Sequence, residues 1–222
     1  MWLAQSAGVE VPEVRLIPLN ALEGLPAINL PDEHLAYAIR RFDREGGQRI
    51  HIEDMSQVLF RYPHEKYDGP NVEQIGRVLR EFTTDGLANV QAFARRLLVD
   101  ILLANGDAHL KNWSLVYPDQ RTPRLAPAYD IVTTLAYLEG DHRLALNLNG
   151  KKDWYRLGED DFHRWAEKTG VAWPAIRKAL DDTIERARAQ WPRQLAELPM
   201  ADAHKAILKR HWRNLAPEWR IG

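Results

Sequence analysis

The sequence contains no cysteine, which excludes disulfides, thiolate metal sites and cysteine nucleophiles together. It has no surplus of either charge: 30 Lys and Arg stand against 31 Asp and Glu, a formal net charge of -1. Such a chain has no global attraction for nucleic acid, and direct nucleic-acid binding is not expected. Long apolar runs are also lacking. The stretch around Leu97–Ala104 is far short of the roughly 20 residues of a membrane span, so no membrane partner is expected. The opening MWLAQSAGVEVPEV lacks the basic segment and apolar core of a signal peptide. A soluble protein of the cytoplasm is the expectation, consistent with the missing cysteines. There is no H-E-x-x-H metal motif, and Ser6, Ser56 and Ser114 lie in no G-x-S-x-G context.

What remains is an ordinary folding composition over 222 residues, 45 % hydrophobic and 27 % charged, enough for a sizeable core. Val9–Leu19 alternates around Pro12 and Pro18, and Asn20–Asp32 is rich in turn formers. His34–Phe42 reads as a strand with Leu35, Tyr37 and Ile39 on one face. Glu45-Gly46-Gly47 marks a turn, Arg49–Ile52 a further extended piece, and Ile52-Glu53-Asp54 opens a short helix to about Leu59. Asn71 with Gln74 predicts a capped helix to about Phe82. Asp85 predicts the start of a long helix carrying Leu87, Val90, Phe93, Ala94, Leu97, Leu98, Ile101 and Leu102 on a broad buried face. It should stop near Asn105-Gly106. Trp113–Tyr117 and Arg124–Tyr129 then predict a hairpin, Asp130–Leu138 a helix, Arg143–Asn149 a strand, and everything from Gly158 onward helices.

The densest chemistry lies in Asn105-Gly-Asp107-Ala-His109-Leu-Lys111-Asn112, a polar loop between the most apolar helix and a strand. Burying that helix would fix the loop in space. Asp130 follows Asn112 by eighteen residues, and a hairpin should return it beside Asn112. Phosphoryl transfer needs a carboxylate at the attacking hydroxyl and oxygen ligands for magnesium. Asp107 can serve the hydroxyl; Asn112 and Asp130 can serve the metal. The D-x-x-x-x-N spacing matches the protein-kinase catalytic loop. By itself it also fits a turn with Asp107 as a cap, and the residues alone leave both readings open.

At these residues the sequence resembles the HipA family of toxin kinases. LLVDILLANGDAHLKNWSLVY (97–117) is similar to the family's catalytic loop and LAPAYDIV (125–132) to its metal-binding motif. RRFDREGGQRIHIEDMSQVL (40–59), EKYDG (65–69) and LALNLNGK (144–151) resemble further family segments in the same order. The resemblance implies an α+β, mainly α fold: a kinase-like C-lobe with a central hairpin over 70–222, preceded over 1–69 by a remnant of the N-lobe and hinge. It implies ATP and Mg2+ as cofactors. Asp107 would be the catalytic aspartate, with His109 and Lys111 supporting its loop; Asn112 and Asp130 would be the magnesium ligands. Arg41 and Phe42 would lie on the segment lining the adenine site. The implied partners are a protein substrate, such as an aminoacyl-tRNA synthetase, and a DNA-binding antitoxin. In the family a strand-rich region with a phosphate-binding loop and a lysine precedes the segment resembling residues 2–19. Without those groups, weak phosphotransfer by this chain alone is expected. The competing expectation is a non-catalytic or split-kinase fragment that acts as a protein-binding module. A small-molecule kinase of the aminoglycoside type is disfavoured by the R-F-D-R and A-P-x-Y-D segments.

The remaining features have plain readings. Trp154, Trp165, Trp173, Trp191, Trp212 and Trp219 are expected to pack a core of helices poor in other large residues. Lys205, Lys209, Arg210 and Arg213 are expected on a solvated helix face. Glu159-Asp160-Asp161 suits a helix start.

Overall fold

The computed structural model describes residues 1–24, 34–67, 71–138 and 140–222. The expected turn-rich stretch beyond residue 24 and the Asp68-Gly69 end of the EKYDG segment lie outside these.

The described elements run in chain order as α1 (Trp2–Ser6), β1 (Val14–Pro18), β2 (Leu35–Ile39), β3 (Arg44–Glu45), β4 (Gln48–Arg49), β5 (His51–Asp54), α2 (Met55–Val58), α3 (Val72–Phe82), α4 (Gly86–Leu102), β6 (Ser114–Tyr117), β7 (Arg124–Leu125), β8 (Arg143–Leu148), β9 (Lys151–Asp153), α5 (Glu159–Thr169), α6 (Trp173–Glu197) and α7 (Asp202–Asn214). Short 3-10 turns separate several of them, among them Leu110–Asn112 and Thr134–Ala136.

The helices that frame the site begin where local chemistry dictates. Asn71 and Gln74 satisfy each other's orphan amides at the start of α3, and Asp54 and Gln57 do the same for α2. The Asp85 carboxylate accepts from Ala88 N–H at 3.0 Å and opens α4. Ten residues of α4 are buried, from Val90 to Leu102. Such all-round burial marks a central helix. Helices α3 and α6 pack against it, and α1 packs on α6. The tryptophan indoles fill the same core: Trp113, Trp154, Trp165, Trp191 and Trp212 are almost fully buried. Their N–H groups find main-chain carbonyls where they can, as Trp191 does at Leu3 and Trp212 at Leu102. Trp173 is only half-buried.

The sheets are small. β1 pairs antiparallel with β2, putting Val14, Leu16 and Pro18 opposite Ile39, Tyr37 and Leu35. The predicted face of β2 is real, but Leu35, Tyr37 and Ile39 are exposed. Gly46 and Gly47, both at positive φ, turn β3 into β4, as a tight two-residue hairpin requires.

The central hairpin acquires a third strand. β5 pairs with β6, and β6 with β7, in a three-stranded antiparallel sheet. The extended piece expected at Arg49–Ile52 divides between β4, which holds Arg49, and β5, which runs on through Ile52-Glu53-Asp54 opposite Val116, Leu115 and Ser114, so the helix expected to open over Ile52-Glu53-Asp54 starts at Met55. The second hairpin strand stops at Leu125. Pro127 follows two residues later, and proline cannot donate to a ladder. The helix expected over Asp130–Leu138 shrinks to the turn Thr134–Ala136. Asp130 itself has φ 57, a left-handed conformation that no helix continues.

Candidate active site

The polar loop leaves the C-terminal end of α4 through Ala104, at φ 52, and is held by hydrogen bonds from both sides. Asn105 is buried; its amide donates to Asp100 Oδ1 at 2.8 Å and its N–H to the Asp100 carbonyl at 2.8 Å. Gly106 N–H donates to Thr134 Oγ1 at 2.8 Å, and that hydroxyl donates to the Ala104 carbonyl at 3.0 Å. A Cβ at Gly106 would lie 2.8 Å from the Arg143 carbonyl oxygen and 3.0 Å from Thr134 Oγ1. The glycine is therefore required by close approach of β8.

Asp107 is half-buried at the tip. The Tyr67 hydroxyl donates to its Oδ1 at 2.6 Å. Burial first, and that bond second, push the Tyr67 phenol up to about 12. His109 is buried, with Nε2 2.8 Å from Lys66 Nζ. An ammonium only donates, so His109 Nε2 accepts and the ring is neutral. Burial first, and Lys66 second, push its pKa down. The Lys111 side chain is exposed; its carbonyl accepts from the Tyr129 hydroxyl at 2.8 Å. Asn112 is buried, and its amide donates to Asp130 Oδ2 at 2.8 Å. The hairpin thus returns Asp130 to Asn112.

Behind this contact lies Arg96, fully buried on α4. Its Nη2 donates to the Asn112 carbonyl at 2.6 Å and to the Tyr129 carbonyl at 3.2 Å. Its guanidinium lies 4.2 Å from the Trp113 ring centre, a cation–π distance. One side chain therefore ties together the main chain on which both Asn112 and Asp130 stand. Asp100, one turn further along α4, is wholly buried, and desolvation pushes its pKa up to about 6 against the opposing pull of Arg96 and Asn105.

Phe42 stacks on Tyr129, ring centres 5.7 Å apart and planes inclined by 28°, which brings it to the residue preceding Asp130. Arg41 turns away into a bidentate pair with Asp43, at 2.8 and 2.6 Å. That pairing, with Arg44, holds the Asp43 carboxyl at about 2. The exposed Tyr37 feels the Asp130 charge, so the open face of β2 borders the same region. A cleft of about 460 Å³ opens on the other side of Asp107, lined by Tyr67, Gly106, Thr134, Leu138, Arg143 and Lys152 among others.

The structure thus brings together Asp107, His109, Asn112 and Asp130, with Phe42 beside them, and leaves Arg41 and the Lys111 side chain outside these contacts. The sequence reading assigned no role to Arg96, Asp100, Tyr67 or Thr134. Opposite charges four residues apart in the most apolar helix were the available signal for the first two. Among the described residues no group of three or more His, Cys, Asp or Glu could cage a metal by protein alone, and no helix is long and apolar enough to cross a membrane.

A mainly helical α+β fold of this kind has a kinase among its structural neighbours. The chain belongs to the HipA-like C-terminal domain family, which matches residues 1–191. A Sinorhizobium fredii protein named as a candidate kinase, Y4dM, is 43 % identical over 202 residues, 90 % of this chain and 49 % of its own length. A candidate kinase of Haemophilus influenzae is 28 % identical over 97 % of this chain and 67 % of its own. Among solved structures, HipA of Shewanella oneidensis, determined with HipB and operator DNA, superposes with a TM-score of 0.75 at 21 % identity, covering 99 % of this chain and 53 % of that one. The proinflammatory kinase CtkA of Helicobacter pylori gives 0.58 at 14 % identity, over 96 % of this chain and 78 % of that one. This chain spans about half the length of Y4dM and of the HipA it matches.

Proposed function

We propose that the chain carries the catalytic residues of an ATP- and magnesium-dependent protein kinase acting on a serine or threonine hydroxyl. The observation that supports this best is the 2.8 Å contact between Asn112 and Asp130, which joins two oxygen-bearing side chains at the end of the Asp107 loop. Magnesium takes oxygen ligands and is typically bound by one or two carboxylates, with phosphates and water completing its shell. An aspartate and an asparagine amide oxygen fit that demand.

Mg-ATP supplies the transferable phosphoryl group and neutralises charge developing on its oxygens. The chain's residues do the rest. Asp107 orients the acceptor hydroxyl and takes its proton. Neutral His109, on Lys66, keeps the loop in place. Arg96 holds the Asn112 and Tyr129 carbonyls at fixed separation. Phe42, with the exposed apolar residues Tyr37 and Ile39, offers a surface for the adenine ring. In this reading residues 1–69 belong to the smaller lobe and hinge, and 70–222 to the helical lobe. The HipA fold, solved elsewhere with HipB and operator DNA, supports a toxin role with a DNA-binding antitoxin as partner.

A second reading, a protein-binding module without catalysis, is favoured by the exposed face of β2, where Leu35, Tyr37 and Ile39 are 44, 53 and 37 % exposed. Large apolar side chains grouped on a surface mark interaction sites. Calorimetric titration of Mg-ATP into the purified chain separates the two. Micromolar binding lost in Asp130→Ala supports the kinase reading. No binding in the unmodified chain sinks it for this polypeptide and leaves the module.

A further inference from the structure

The cleft beyond Asp107 carries two cations that the nucleotide site does not use. A Cβ at Gly106 would lie 2.8 Å from the Arg143 carbonyl oxygen, so the start of β8 passes directly beside the Asp107 loop. Arg143 on β8 and Lys152 on β9, its antiparallel partner, line the same cleft as Asp107. Lys152 is half-buried, and its ammonium makes one hydrogen bond among the described residues, to the Ala145 carbonyl at 2.7 Å. An ammonium carries three donors, and lysine is seldom held out of water without an acid to pair with it. Arg143 does have an acid, Asp141 at 3.2 Å, but the two side chains are 72 and 43 % exposed. A pair so exposed is weak and is readily exchanged for another carboxylate. On Asp107 itself the Tyr67 hydroxyl takes Oδ1, which leaves Oδ2 for an acceptor hydroxyl.

We propose that this cleft selects acceptor proteins that carry an aspartate or glutamate within about three residues of the serine or threonine, and that Lys152, with Arg143, binds that carboxylate. The inference rests on the kinase reading above and gives it a substrate class. The reach follows from the size of the cleft. A compact volume of about 460 Å³ is roughly 10 Å across, a span that extended chain covers in about three residues at ~3.3 Å each. A peptide whose hydroxyl meets Asp107 Oδ2 therefore has its flanking side chains beside Lys152 and Arg143. The Asp107 carboxylate repels an acid next to the hydroxyl, so the favoured acid stands two or three positions away. There it takes charge-assisted bonds from the Lys152 ammonium and the Arg143 guanidinium. A basic residue in the same place meets like charge and is rejected, and an apolar one leaves the Lys152 donors unmet. Both cations act on the flank of the substrate and touch no reacting atom, so they determine specificity and leave the chemistry to Asp107.

The test uses the 222-residue chain and short fluorescent peptides with one central serine, flanked on either side by glutamate, glutamine or lysine. Titration by fluorescence anisotropy should give a Kd at least about fivefold lower for the glutamate peptides than for the glutamine ones. That preference should vanish at about 1 M salt, where screening shortens charge interactions to about 3 Å. In Lys152→Glu the order should reverse, with the lysine peptides binding best. Arg143→Glu should move it the same way by a smaller factor. The two residues stand on separate strands, so a failure of one variant to fold leaves the other to decide. Phosphate transfer from Mg-ATP should follow the same order in KM, with kcat little changed. Equal affinity for glutamate and glutamine peptides overturns the proposal. So does a glutamate preference that persists in both charge-reversed variants, since the acid then binds elsewhere. A chain that binds Mg-ATP without any charge preference loses this inference and keeps the kinase reading. A chain that prefers the glutamate peptides but binds no Mg-ATP loses the kinase reading, and with it the claim that these peptides resemble substrates.

Discussion

Replacing Arg96 by methionine tests the architecture of the site without touching any group that would meet substrate. The guanidinium is wholly buried and donates to the carbonyls of Asn112 and Tyr129, at 2.6 and 3.2 Å. Methionine leaves both carbonyls without that donor, at about 1–3 kcal/mol for each buried group. It also removes the cation that offsets the buried Asp100 charge, and breaking one side of a buried charged cluster typically costs about 3–5 kcal/mol. Part of this is returned. Arg96 is itself poorly satisfied, with Nε and Nη1 lacking a partner among the described residues, and desolvation pushes its pKa down. A net loss of about 3 kcal/mol follows, which at about 2–4 °C per kcal/mol for a domain of this size lowers Tm by about 6–12 °C. Thermal unfolding by circular dichroism measures it. Because both segments that carry the proposed magnesium ligands lose their common brace, Mg-ATP affinity measured well below the variant's Tm should weaken by about tenfold or more, whereas Arg96→Lys should retain part of both. An unchanged Tm together with unchanged Mg-ATP affinity in Arg96→Met would refute the idea that this arginine organises the site.

Other perturbations follow from the same contacts. Gly106→Ala drives a methyl to 2.8 Å from the Arg143 carbonyl and should cost about 1–3 kcal/mol, read as a lower Tm. Asn71→Ala removes one half of the capping box of α3 and should cost about 1 kcal/mol in denaturant unfolding, with no effect on nucleotide binding. Burial lowers His211 from 6.5 to about 4, so its contribution is present above pH 6.5 and lost as pH falls towards 4. Burial raises Asp100 from 3.8 to about 6, so its contribution is present below pH 3.8 and lost as pH rises through 6. Each shift of about two units is worth about 3 kcal/mol, and between pH 4 and 6 the two slopes oppose each other. Stability of Asp100→Asn should therefore fall more steeply on acidification than that of the parent chain, and His211→Gln less steeply, in melts taken across this range. Identical pH slopes for all three proteins would refute the assignment.

Much of this was written locally in the sequence. The caps at Asn71 and Asp85, the long buried helix and the glycine turn at Gly46-Gly47 need only neighbouring residues, and each occurs where its residues put it. The closing of the hairpin that carries Asp130 back to Asn112 was legible for the same reason, since hairpin register is set at the turn. What was not legible is pairing across distance. Nothing in His51–Asp54 states that it lies beside Ser114–Tyr117, some 60 residues later, and alternation in β2 marks a face without saying that the face stays open. Asp130 reads as the start of a helix by composition, yet its contact with Asn112 is made from a left-handed backbone that excludes one.

The buried charges are the instructive failure. On α4, Arg96 and Asp100 occupy positions where the apolar pattern asks for leucine, and by transfer energies alone both are costly. They persist where each is hydrogen-bonded to the loop and its flank: Arg96 at the main-chain carbonyls of Asn112 and Tyr129, Asp100 at the side-chain amide of Asn105. The loop between them has to be irregular, because it must present Asp107, His109 and Asn112 together, and irregular buried backbone must find its hydrogen bonds from side chains. The cost of burying two charges on α4 is thus tied to holding a non-repetitive loop rigid. If that coupling is real, Arg96→Met combined with Asp100→Asn should destabilise by clearly less than the sum of the single substitutions, since each removes a reason for the other. Simple additivity in the double-mutant cycle would mean that the two charges serve the fold independently, and that the loop owes its shape to Thr134 and Gly106 instead.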